Sequence, residues 1–331
     1  MSFYSAVFPN CIPYKLFLDK EEAFCHWLNT LGKRFEEPFF DETIHRCRAF
    51  PENVKRQKCI STVSLLPEWS EGMNAVQPTA FIFHVSRCGS TLLSQLLTLD
   101  QKNIVLSEVP FFDELLRLHY QLPGLPVSAA DQWLKAAIEF YGQKRTGSEQ
   151  HLFIKTDCWH IFSYERLRKL YPGVPVVLLY RSPDEVLRSQ QKKRGMQAVP
   201  DVIEPEVMGI NKEDIRYNDF DHYFCMVMEK ILEQFVYVLE KDPLAIPVNY
   251  KEGILPIVQK IAIHTGIEIN DDLLQQMEDR SRYHAKFPEQ AFEGDALPES
   301  HPEYLTASMN WYQQLEEKRK LLFQAAGDVL K

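Results

Sequence analysis

The stretch "TAFIFHVSRCGSTLLSQLL", residues 79–97, decides the fold. Thr79 to Val85 is a short, mostly apolar run of strand character. From Thr91 onward, Leu92, Leu93, Leu96 and Leu97 recur at helical spacing. Between the two lie Ser86, Arg87, Cys88, Gly89 and Ser90. A strand that passes through a short loop into a helix offers backbone N–H groups at the helix N-terminus, where geometry and dipole both favour an anion. Gly89 allows close approach and unusual backbone angles. Ser90 and Thr91 add hydroxyls, and Arg87 adds a permanent cation. Such loops are common, and Ser90 or Thr91 reads equally well as a plain helix cap. A Walker A loop needs G-x-x-x-x-G-K-[ST]. Here His84 stands five residues before Gly89, and Ser90 replaces the lysine. His84 itself, inside an apolar strand, is expected to be a hydrogen-bonded core histidine.

Outward from this stretch the pattern repeats. Apolar runs occur at 79–85, 103–107, 151–155, 175–180 and 244–249, with helical stretches at 91–99, 111–120, 131–143, 160–170, 183–193 and 220–240. Alternation of this kind predicts βαβ units, an α/β fold with a parallel sheet flanked by helices on both faces. The unbroken apolar run 176–179 fits a strand buried on both sides. Residues 1–77 differ: "DKEEAFCHWLNTLGKRF", 19–35, reads as a helix, and the region ends in polar "PEWSEGMNAVQP". We read 1–77 as an N-terminal appendage of mixed α/β character and 78–331 as the main domain. A C-terminal helix is expected after a proline-containing loop.

Composition narrows the function. The 331 residues carry a net charge of −9, which argues against a general nucleic-acid binder. No apolar run is long enough for a membrane span. The start, "MSFYSAVFPNCIPYK", lacks the pattern of a signal peptide. Seven cysteines (Cys11, Cys25, Cys47, Cys59, Cys88, Cys158 and Cys225) contain no CxxC pair, which predicts reduced thiols in a cytoplasm. No HExxH, CxxC or paired-aspartate motif appears, so no metal is expected.

A second stretch, "VPVVLLYRSPDEVLRSQQKKRG", 174–195, ends a buried run at Arg181. Ser182 is expected to cap the following helix, with Pro183 at its first position and Glu185 completing a capping box. Ser189 lies about two turns along from Ser182, so Arg181 and Ser189 can grip one anion together. The run Lys192-Lys193-Arg194 reads as a solvated, dipole-compensating helix end.

Together these features resemble the PAPS-dependent sulfotransferases. Arg87, Cys88, Gly89, Ser90 and Thr91 match in order that family's 5′-phosphosulfate loop, roughly [KR]-x-G-[ST]-[ST]. Arg181 and Ser189, eight residues apart after a buried strand, resemble its 3′-phosphate motif. "FIKTDCWH", 153–160, stands where cytosolic members carry Lys-Thr-His, the histidine being the general base. "IPVNYKEGILPIVQKIAIHTGI", 246–267, resembles the segment before the family's C-terminal region, with Tyr250 on the tyrosine that faces the nucleotide.

The resemblance covers roughly 79–290. It implies a P-loop NTPase-like sulfotransferase fold and transfer of a sulfuryl group from PAPS to a hydroxyl or amine of a small or lipidic acceptor. The product would be adenosine 3′,5′-bisphosphate. It also implies leaving-group stabilisation by Arg87 and the loop amides, and a grip on the 3′-phosphate by Arg181 and Ser189. There are departures. Leu92 replaces the adenine-stacking aromatic, Asp157 replaces the base histidine, and no RKG-type loop is visible, with Lys286, Arg280 or Arg282 as substitutes.

In a parallel sheet, ligands bind outside the carboxyl ends of the strands. Arg87, Glu108, Asp157 and Arg181 all follow strand runs and are expected to converge. The acceptor must lose a proton; Asp157 stands first as base and Glu108 second, though either also reads as a helix cap. Segments 109–130 and 195–224, rich in apolar residues and prolines, are expected to wall a mostly apolar acceptor pocket. Two other readings stay open: a P-loop nucleotide-dependent kinase, and a non-catalytic nucleotide-binding protein that kept the fold.

Overall fold

The structure, a computed structural model, describes residues 9–55, 59–283 and 302–329. The chain opens with a hairpin, β1 (Cys11–Asp19) against β2 (Glu22–Asn29), and β3 (Ile60–Thr62) adds to β2 to make a three-stranded antiparallel sheet. The helices α1 (Phe40–Arg48) and α2 (Pro51–Lys55) intervene, and α3 (Leu66–Ser70) follows. The helix expected over 19–35 is therefore a turn and a strand. Ala23, Cys25 and Trp27 are buried while Glu22, Phe24 and His26 are more exposed, a period of two that only a strand can place on one face. Lys20 takes a left-handed φ of 56° in the hairpin turn.

From residue 78 the alternation read in the sequence is present. The elements are β4 (Pro78–His84), α4 (Ser90–Leu97), β5 (Asn103–Ser107), α5 (Pro110–Gln121), α6 (Val127–Tyr141), β6 (His151–Lys155), α7 (Tyr164–Leu170), β7 (Val176–Tyr180), α8 (Pro183–Lys192), α9 (Phe220–Lys241), β8 (Ala245–Asn249), α10 (Ile254–Thr265), α11 (Asp271–Ser281) and α12 (Thr306–Val329). A five-stranded parallel sheet forms in the order β5–β6–β4–β7–β8, flanked by helices, the α/β class expected. Every residue of β5, β7 and β8 is buried, as a sheet covered on both faces requires.

The chain divides into two compact units. One comprises Met1–Phe81, Ser94–Asp157 and Arg166–Val174. In it the N-terminal hairpin is fastened to α5 and α6. The Tyr141 hydroxyl donates to the Pro13 carbonyl at 2.6 Å, the Leu16 N–H donates to Glu114 at 2.6 Å, and Trp27 packs edge-on against Phe140. The other comprises Ile82–Leu93, Cys158–Glu165 and Pro175–Lys331. Its described residues are built around α9, to which α12 is tied by the Ser308 hydroxyl on the Cys225 carbonyl, 3.1 Å. The seven cysteines form no disulfide, and among the described residues no helix is long and apolar enough to cross a membrane.

Candidate active site

The loop after β4 is held in a demanding conformation. Ser86, Arg87 and Gly89 all have positive φ, at 65°, 49° and 80°. Left-handed backbone at non-glycine residues costs about 1–2 kcal/mol each, so surrounding bonds must enforce it. They do. The Ser86 N–H donates to His84 Nδ1 at 3.0 Å, which gives the strand histidine its hydrogen bond. Gln190, fully buried on α8, donates to the Ser86 hydroxyl at 3.2 Å and accepts the Gly195 N–H at 2.7 Å. The Cys88 thiol reaches the Leu179 carbonyl at 3.5 Å, and the Arg87 guanidinium donates to the Lys193 carbonyl. The result delivers Ser90 and Thr91 to the first turn of α4, the N-terminal end of its dipole.

Tyr250, in the turn after β8, lies against this loop. A Cβ on Gly89 would come within 2.2 Å of the Tyr250 ring, so the tyrosine occupies space that only glycine leaves open. Arg181, at the end of β7, has its guanidinium 5.3 Å from the same ring centroid and its Nη1 3.5 Å from the Arg87 carbonyl. Its Nη2 donates to Glu185 at 2.7 Å, whereas its buried Nε has no hydrogen-bond partner among the described residues. The structure thus brings Arg87, Cys88, Gly89, Arg181 and Tyr250 together. Ser189 sits half-buried on α8, its carbonyl accepting the Lys193 N–H.

The capping box does not form. Ser182 takes the N-cap position and Pro183 the first turn, but the serine hydroxyl turns to Asp184, and Glu185 pairs with Arg181. A guanidinium four residues upstream outcompetes a backbone N–H for the carboxylate, because charge-assisted bonds are roughly twice as strong as neutral ones.

A second cluster lies in the other unit. Glu108 follows β5 with a φ of 55°, and its N–H donates to the Lys155 carbonyl at 2.8 Å. Lys155 is wholly buried, 2.5 Å from the Glu108 carboxylate and with its ammonium 5.4 Å from the Phe39 ring centroid. Asp157 stands two residues on. Burial pushes its carboxyl well above the usual range, Glu108 and Asp113 push it further, and Lys155 and Arg117 pull back. Asp113 is gripped by Arg117 through both oxygens, with contacts from 2.6 to 3.1 Å. Asp41 is also raised, by burial and by Glu108. Burial and like charge thus act in the same direction on Asp157 and Asp41, both raising the carboxyl.

Sequence reading did not single out Gln190, Glu185 or Lys155 as working parts of these sites. Only Lys155 carried a signal, as a lysine closing an otherwise apolar strand run. Of the substitutes for the RKG-type loop, Lys286 lies outside the described residues. Arg282 is exposed and paired with Glu278 at 3.1 Å, and Arg280 donates to the Tyr283 carbonyl at 3.4 Å.

No family model and no curated protein matches the chain. Solved structures similar to it include a sulfotransferase from Mycobacterium tuberculosis H37Rv, 15% identical over 65% of this chain and 76% of that one, with a TM-score of 0.40. Another is a sulfotransferase from Mycobacterium avium, 13% identical over 77% and 78%, TM-score 0.44. A third is a sulfotransferase from Alicyclobacillus acidocaldarius, 15% identical over 61% and 90%, TM-score 0.37. At these identities the likeness is one of fold alone.

Proposed function

We propose that this protein is a PAPS-dependent sulfotransferase acting on a hydroxyl or amine of a small or lipidic acceptor. The observation that carries the reading is the strained loop 86–89 pressed under Tyr250, with Arg181 beside it and its buried Nε without a partner among the described residues. An unsatisfied buried donor is costly, and a phosphate oxygen would satisfy this one. The donor nucleotide supplies the sulfuryl group and leaves as adenosine 3′,5′-bisphosphate.

The residues present fit that group. Arg87, Cys88, Gly89, Ser90 and Thr91 hold its 5′ side with backbone N–H groups, hydroxyls and one guanidinium. Arg87 stabilises charge on the leaving phosphate, a role for which a permanent, fork-shaped cation suits. Arg181 and Ser189 hold the 3′-phosphate, and Tyr250 walls the nucleotide. The acceptor proton goes to Asp157, whose raised pKa makes it a strong base once ionised, with Glu108 as the neighbour that raises it. These carboxylates are assigned to the same reaction by their place in the motif order. The acceptor is proposed to carry a substantial apolar body. No nucleic-acid partner is proposed, given the acidic net charge, and seven cysteines without a disulfide favour a cytoplasmic setting.

Incubation with sulfur-labelled PAPS and a mixed pool of alcohols, phenols and amines tests the reading. Label is expected to move to an acceptor. Tight bisphosphate binding without any transfer would favour the non-catalytic alternative. Turnover of ATP instead would favour the kinase, against which Ser90 at the Walker lysine position already counts.

A further inference from the structure

Glu316, on α12, is buried and accepts five hydrogen bonds. One oxygen takes the Tyr180 hydroxyl at 2.6 Å, the Asn249 side-chain amide at 2.8 Å and Arg319 Nε at 2.9 Å. The other takes Arg319 Nη2 at 3.1 Å and the Lys251 ammonium. Burial pushes this carboxyl up, but bonds from Arg319, Asn249, Lys251 and Tyr180 outweigh it and hold it well below the usual range. A second carboxylate, Glu252, accepts the Asn249 N–H at 2.8 Å and pairs with Lys260 and Arg319.

The partners of Glu316 stand at particular places. Tyr180 and Asn249 are the last residues of β7 and β8, and they face each other in the register of that strand pair. The next residue after Tyr180 is Arg181, and the next after Asn249 is Tyr250. One carboxylate therefore ties together the two strand ends from which Arg181 and Tyr250 project. Docking alone does not call for it, because α12 and the turn before it already bury Leu305 and Leu315 completely. A buried ionic cluster adds little net stability over apolar packing, but its loss of one partner is felt strongly at the groups left behind.

We propose that Glu316 is a positioning residue for the nucleotide site: it fixes where Arg181 and Tyr250 stand, and so couples seating of the C-terminal helix to nucleotide binding. This rests on the reading of Arg181 and Tyr250 as nucleotide contacts. The test uses the full chain with adenosine 3′,5′-bisphosphate and 5′-AMP as probes, titrated by calorimetry into the wild type, Glu316→Gln, Tyr180→Phe, Leu315→Ala and Arg181→Ala. Glu316→Gln is expected to narrow the preference for the bisphosphate by about tenfold, the scale of one lost charged hydrogen bond, and Tyr180→Phe by a smaller factor. Leu315→Ala is expected to lower the melting temperature and keep the preference. Saturating bisphosphate is expected to slow amide exchange along 306–324 in the wild type and less so in Tyr180→Phe, because coupling is reciprocal. Tyr180→Phe, which deletes one hydroxyl, keeps the test alive if Glu316→Gln does not fold. An unchanged preference in the folded variants, or equal narrowing in Leu315→Ala, overturns the proposal. If Arg181→Ala also leaves the preference unchanged, the nucleotide reading beneath it has failed as well; if Arg181→Ala alone removes it, only the role of Glu316 has failed.

Discussion

Gly89→Ala probes the loop at its tightest point. The backbone cost is set by the φ of 80°, a left-handed conformation that charges alanine about 1–2 kcal/mol. The steric cost adds to it. The new methyl would lie 2.2 Å from Tyr250 Cε2 and 2.4 Å from Cδ2, far inside any tolerated approach, so the ring must leave. Tyr250 is not free to swing outward cheaply, because Asn249 before it and Lys251 after it are both bonded to Glu316. The variant is therefore expected to lose at least about 1–2 kcal/mol in urea unfolding. It is also expected to bind adenosine 3′,5′-bisphosphate at least tenfold more weakly, since ring and loop amides shift together. Gly173→Ala is the control: nothing lies within 4 Å of its would-be Cβ and its φ is not positive. If Gly89→Ala unfolds and binds like the wild type, the loop is not held against Tyr250 and the site described above is wrong.

Other expectations follow from the same geometry. If Asp157 is the base, Asp157→Asn cuts turnover by about 10²-fold or more and spares bisphosphate affinity; loss in Glu108→Gln alone would reverse the assignment. Because Glu108 raises the Asp157 carboxyl, Glu108→Gln is expected to move the acidic limb of the pH–rate profile downward, and an unmoved limb refutes that coupling. Glu114 is pushed up to about 7, chiefly by burial, against the opposing Leu16 N–H bond. Its folded pKa exceeds the unfolded value of about 4.3, so its contribution to stability is present below that value and is lost as pH rises through about 7. Urea midpoints are therefore expected to fall across that window, less steeply in Glu114→Gln; an identical slope in both would count against it.

The sheet was legible because its strands are buried on both faces and so appear as unbroken apolar runs, bounded by polar turns. The candidate loop 87–91 could be singled out in the sequence because its chemistry is local: cation, glycine and hydroxyls fall within five residues. The first hairpin was not. Glu21, Glu22 and Ala23 favour a helix, and Ala23 with Trp27 and Leu28 mimics helical spacing, so the period of two through Cys25 was masked. Glu185 was misread because its local role, a helix cap, was overridden by Arg181 four residues earlier. Glu316 carried no signal at all. It meets Tyr180 across 136 residues of sequence, a contact that only the packing of α12 creates.

The most direct test of the central claim is calorimetric titration of the wild type and Arg181→Ala with adenosine 3′,5′-bisphosphate and 5′-AMP. A charged hydrogen bond contributes about 1.5–3 kcal/mol, so the wild type is expected to prefer the bisphosphate by about tenfold or more. Arg181→Ala is expected to erase that preference by weakening the bisphosphate while leaving 5′-AMP nearly unchanged. Equal affinity of the wild type for the two nucleotides, or equal losses for both in Arg181→Ala, would contradict the claim that Arg181 holds a 3′-phosphate.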